Sequence, residues 1–108
     1  MDYTDRLRRL AINDARFSDT SPGSQDGLDP EALDSKSLAL VRLAALIAVG
    51  GAVPSFGAQV DAAVSAGASA TEIVDVLVGV IPALGLPCVV TAAPRVALAL
   101  GYDVESDF

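Results

Sequence analysis

The chain lacks histidine and tryptophan altogether, and it has a single cysteine among its 108 residues. Without histidine there is no Ser-His-Asp triad, no Cys-His pair and no imidazole metal site. One cysteine cannot close an internal disulfide or form a CxxC redox pair. Positive charge is also scarce: seven Lys and Arg stand against 14 Asp and Glu, a net charge of −7. That balance argues against nucleic acid and anionic membrane surfaces as partners. The longest apolar run, Leu38 to Val53, is interrupted by Arg42 and Gly50-Gly51. It falls short of the ~20 residues that cross a bilayer. The N-terminus carries Asp2, Asp5, Arg6, Arg8 and Arg9 in place of an apolar signal segment, and a cytoplasmic location is the expectation.

What is abundant is apolar residues, 52% of the chain. Charge gathers at the ends, and residues 35–101 hold only Lys36, Arg42 and Arg95 against Asp61, Glu72 and Asp75. A domain this small buries about two thirds of the surface its unfolded chain exposes. The apolar content exceeds what one such core needs, so the excess is expected to meet other copies of the chain.

The length fits one domain. Residues 3–17 read as an amphipathic helix, with Tyr3, Leu7, Leu10 and Phe17 on a stripe that Asp14 shares. It is expected to cap the core or clasp a neighbouring subunit. Residues 18–30, SDTSPGSQDGLDP, are rich in turn formers and read as a linker, and the acidic run at 26–34 reads as a solvated loop. A short helical start at 31 then leads into SKSLALVRLAALIAV, apolar around almost its whole circumference and expected to be buried on nearly all sides until Gly50-Gly51 ends it. Pro54 opens a helix over 54–66 with Phe56, Val60, Ala63 and Val64 inside and Gly67 as its stop.

Ser69-Ala70-Thr71-Glu72 is a capping box. It precedes Ile73, Val76, Leu77, Val80, Ile81 and Leu84 at helical spacing, with Pro82 expected to bend or end the helix. Pro87 opens a last helix that closes at Gly101, and Pro94 inside it predicts a kink or two short helices. The tail 102–108 is acidic. No strand pattern competes, and the fold class is all-α, about five helices. Residues 1–27 form an N-terminal helix and linker, 28–101 the helical domain, and 102–108 the tail.

Three ordered segments carry a family resemblance: LDSKSLALVRLAAL (33–46), QVDAAVSAGASATEIVDVL (59–77) and GLP (85–87). Together they resemble the carboxymuconolactone decarboxylase family of the alkylhydroperoxidase-D-like superfamily. The resemblance implies an oligomer-forming helical fold, assembled as trimers or hexamers, and decarboxylase or peroxiredoxin-type activity. It also places a frequent family glutamate at Ala39, the motif histidine at Gln59 and a second polar position at Gly79. The peroxidase branch has a CxxC where this chain reads Val53-Pro54-Ser55-Phe56. The resemblance is therefore that of a divergent member in which the usual polar site residues are replaced. Gln59 can hydrogen-bond but cannot titrate, whereas decarboxylation of a muconolactone acid needs a proton donor or acceptor.

The pocket candidates are Arg42, Ser55, Gln59 and Cys88. Arg42, inside an apolar helix, needs a partner or an opening to water. It could bind the carboxylate of a small acid, or pair with Asp61 or with an acid of a neighbouring subunit. Gln59 could hold a ligand or a water, or be a satisfied polar group between helices. Cys88 follows Pro87 at a helix start, where free amides favour a thiolate; as a small buried hydrophobe it would be inert. Asp61, Glu72 and Asp75 make no metal site by themselves, since Glu72 serves the cap and Asp75 lies on an outer face. No metal or cofactor is expected.

Three functions are open to such a chain. It could be a homo-oligomeric family member without the decarboxylase or peroxidase activity, keeping a small apolar pocket. It could be an enzyme in which Arg42, Ser55, Gln59 or Cys88 acts on a small carbonyl, lactone or peroxide. It could be a helical module that pairs with a different protein.

Overall fold

The computed structural model describes residues 2–12 and 30–102, and Asp14, Phe17, the linker 18–29 and the tail 103–108 lie outside them. Among the described residues the chain is all-helical, without strands. Its contacts divide it into two units, residues 1–33 and Asp34 onward.

In the first unit, α1 spans Tyr3–Ala11. The Asp2 carboxylate caps it, accepting from the Asp5 N–H at 2.9 Å and the Thr4 hydroxyl at 2.8 Å. Those two donors, the amide first, hold the carboxyl below the usual aspartate range. Asp5 in the first turn and Arg8 and Arg9 in the last complement the helix dipole. Arg6 reaches Glu31 at 3.1 Å. The helix buries no side chain, and Tyr3, Leu7 and Leu10 all stand exposed.

The second unit holds α2 (Ser35–Val49), α3 (Val53–Ser65), α4 (Ala70–Gly79), the single turn α5 (Ile81–Leu84) and α6 (Leu86–Ala99). Asp34 sets the start of α2, with extended backbone at ψ 170° and its carboxylate accepting from the Ser37 N–H at 2.7 Å. A helix cannot run through a residue in that conformation. Residues 31–33 are accordingly bends, not the helical start the sequence suggests.

Pro54 is the second residue of α3, where no helical N–H is required. The helix ends in a Schellman motif: Ala68 N–H bonds to Ala63 O, Gly67 N–H to Val64 O, and Gly67 takes φ +102°. The capping box on α4 is complete. Pro82 ends that helix as the sequence predicts, because it has no N–H to return to the carbonyl of Val78. Pro94 does not divide α6, which runs unbroken from Leu86 to Ala99. Val90, whose carbonyl loses its helical donor to Pro94, is exposed, so water can satisfy it.

The core is apolar throughout. Ala39, Leu43 and Ile47 of α2 meet Phe56, Val60 and Ala63 of α3, with Ile73 and Leu77 from α4 and Val89, Ala92 and Val96 from α6. Helix α3 makes its widest contacts with α6 and α2, and α2 also packs on α4. Two expectations are corrected here. Val64 is 51% exposed: the inward row runs Phe56, Val60, Ala63, which leaves Val64 on the shoulder of α3. Helix α2 buries a single stripe rather than most of its circumference, and Val41 and Val49 face outward.

Candidate functional site

The sequence candidates sit on three helices of the second unit, and no hydrogen bond or ion pair joins any two of them. Arg42 lies midway along α2, one residue before buried Leu43, and that places it on the exposed side. It makes no ion pair with Asp61, which is itself exposed. Among the described residues its side chain has no hydrogen-bond or ion-pair partner.

Gln59 is half-buried on α3, and its Nε2 donates to the backbone carbonyl of Ala39 at 3.1 Å. Helices α2 and α3 thus bring together the two positions at which the resemblance expects a histidine and a glutamate. Ala39 is 5% exposed and brings only a methyl group. What remains there is an amide-to-carbonyl tie between helices, with no group that can exchange a proton near neutral pH. Ser55 precedes Gln59 by one turn on α3 and is exposed. Cys88 is half-buried in the first turn of α6, and no second cysteine exists to resolve it.

Two further polar ties emerge from the packing. Arg95 Nη1 donates to the Gly51 carbonyl at 3.0 Å, fastening α6 to the turn between α2 and α3. Lys36 Nζ donates to Glu72 Oε2 at 2.9 Å, linking α2 to α4, while Oε1 of the same carboxylate accepts from the Ser69 N–H at 2.9 Å. The Ser69 amide foremost, and then Lys36, hold the Glu72 carboxyl below the usual glutamate range. Glu72 in turn raises Lys36. Sequence reasoning found the capping role of Glu72 but neither cross-helix partner. A lone Arg95 in an apolar helix is the one signal the sequence offers, and it does not say which carbonyl the side chain will find.

Among the described residues no polar side chain is buried, and no group of three or more Cys, Asp or Glu side chains could hold a metal ion. A depression at the start of α1 is lined by Asp2, Thr4, Asp5 and Arg8 and includes none of the four candidates. No helix among the described residues is long and apolar enough to cross a membrane.

Comparison of the chain with protein-family models, curated proteins and solved structures finds no match. The functional reading therefore rests on the residues and their geometry. The site positions offer hydrogen bonds, one exposed guanidinium and apolar surface. They do not offer a paired acid and base or a dithiol.

Proposed function

We propose that this chain is one subunit of a homo-oligomer, trimeric or hexameric, resembling the carboxymuconolactone decarboxylase family but without its decarboxylase or peroxidase chemistry. In this reading the assembly keeps a small apolar pocket for a small-molecule ligand. The observation that carries it is the apolar surface one subunit leaves open. Val41 and Val49 on α2 and Leu86, Val90 and Leu98 on α6 are 48–81% exposed. Large exposed apolar patches mark association surfaces, and obligate interfaces bury roughly 2,000 Å² or more of total surface.

The chemistry supports the non-catalytic part. Acid–base decarboxylation needs a titratable group where Gln59 and Ala39 stand, and a dithiol cycle needs a second thiol. The unbonded Oε1 of Gln59 is the polar contact left to hold a ligand.

Native mass spectrometry of the purified full chain tests this directly. A trimer or hexamer, with added small-molecule mass that gentle activation removes, is the expected result. A monomer at micromolar concentration overturns the assembly. Turnover of a lactone acid or a peroxide that is lost on Gln59→Ala or Cys88→Ser overturns the non-catalytic assignment.

A further inference from the structure

The second unit contains an unbalanced set of charges. Between residues 34 and 102, Lys36 pairs with Glu72, Arg95 bonds the Gly51 carbonyl, and Asp34 caps α2. Arg42, Asp61 and Asp75 remain, all exposed and none with a hydrogen bond or ion pair. Arg42 is the only polar residue from Leu38 to Val49.

Arg42 is also the central residue of α2, which runs from Ser35 to Val49. Two copies of this face packed on each other about a two-fold axis through its centre would set Arg42 against its own copy, whether the helices ran parallel or antiparallel. Like charges opposed across an interface are strongly unfavourable. A face carrying an acid suits the exposed face of α2 better than its own copy in that arrangement.

Two acids are available, and their surroundings separate them. Around Arg42, Val41 at i−1 and Ala45 at i+3 are both exposed, so the charge edges an apolar ridge. Asp75 repeats that arrangement with opposite sign: Val74 at i−1 is 46% exposed and Val78 at i+3 is 59% exposed. Asp61 does not, because its i−1 neighbour is the fully buried Val60. The segments Val41-Arg42-Leu43-Ala44-Ala45 and Val74-Asp75-Val76-Leu77-Val78 are complementary in charge and alike in apolar pattern.

We infer that the α2 face around Arg42 docks on the α4 face of a second copy of this chain, with Arg42 paired to Asp75 of that copy beside the Val41–Ala45 and Val74–Val78 ridges. Such a contact uses two different surfaces of one subunit. It is heterologous, and repeated head to tail it closes a ring when the rotation allows. The inference rests on the self-association proposed above and adds to it the pair of faces and the charges that set their register.

Charge reversal on the full chain tests it, with assembly followed by light scattering and native mass spectrometry across a dilution series, and with helicity monitored by circular dichroism. Both side chains are exposed in the subunit, so Arg42→Asp and Asp75→Arg should retain the wild-type helical signal. Each single reversal is expected to raise the concentration at which the assembly dissociates by roughly 100-fold, in the range seen for breaking close interfacial charge pairs. The double variant R42D/D75R should recover most of that loss, and R42D/D61R should not. Arg42→Gln and Asp75→Asn supply milder versions should a reversal unfold the subunit. An assembled wild type whose single variants dissociate at an unchanged concentration sinks the pairing and leaves self-association intact. Rescue by Asp61→Arg in place of Asp75→Arg also sinks it. A wild-type monomer removes the self-association reading itself, and the pairing with it.

Discussion

Glu72 engages both of its carboxylate oxygens, one with the Ser69 amide and one with Lys36. Because its folded-state pKa is depressed, it contributes stability that is fully present above its unfolded value of about 4.3. That contribution is lost as pH falls through the lower folded value. Asp34, held down first by the Ser37 amide, acts in the same direction. Lys36 has the opposite sign: its pKa is raised, so its share persists through neutral pH and is lost only as pH climbs past the ordinary lysine range. Thermal melts should thus show a plateau at neutral pH and a decline below about pH 4.3. In Glu72→Gln the plateau should be lower and the acid decline shallower. An acid limb identical to the wild type would mean that Glu72 is not one of the groups responsible.

Helix boundaries here are fixed by local chemistry, and glycine gives the sharpest test of it. Gly67 has φ +102°, with nothing within 4 Å of where a Cβ would sit. Gly67→Ala should therefore cost about 1 kcal/mol from backbone strain alone. Gly57 lies inside α3, with equally open space and no positive φ. Gly57→Ala should stabilise by roughly 0.5–1 kcal/mol, because alanine loses less backbone entropy on entering a helix. Urea titrations at unchanged slope should move the two midpoints in opposite directions. If both variants shift the same way, Gly67 is not acting as a left-handed cap. The two prolines show the limit of purely local argument. Pro82 stops α4, whereas Pro94 is carried inside α6, where packing of Val89, Ala92 and Val96 into the core holds the helix together around it.

For the molecule as a whole, burial separates residues that hold the fold from those left for its surroundings. Phe56 is fully buried between helices, and Phe56→Ala should cost about 3–5 kcal/mol. That is a large part of the roughly 5–15 kcal/mol that holds a domain together. Val49, although equally apolar, is 81% exposed. On the self-association proposed above, Val49→Asp should leave the helical signal intact and lower the assembled mass. Circular dichroism melts together with light scattering distinguish the two effects. A Val49→Asp chain with unchanged mass would show that this part of α2 takes no part in the proposed association.

Repetition and capping wrote the helices into the sequence. The Ser69–Glu72 box, the Gly50, Gly67 and Gly101 stops and the spacing from Ile73 to Leu84 depend on neighbours within a few residues, and those are read directly along the chain. The same spacing, with no strand pattern against it, carried the all-α class. The resemblance pointed to Ala39 and Gln59 as site positions, but not to the bond between them. Only the packing of α3 against α2 put the Gln59 amide on the Ala39 carbonyl, and only the packing of α6 brought Arg95 to Gly51. Which apolar residues face inward was likewise decided in three dimensions. Val41, Val49 and Val64 are as hydrophobic as their buried neighbours, and their exposure follows from where the other helices of the chain lie.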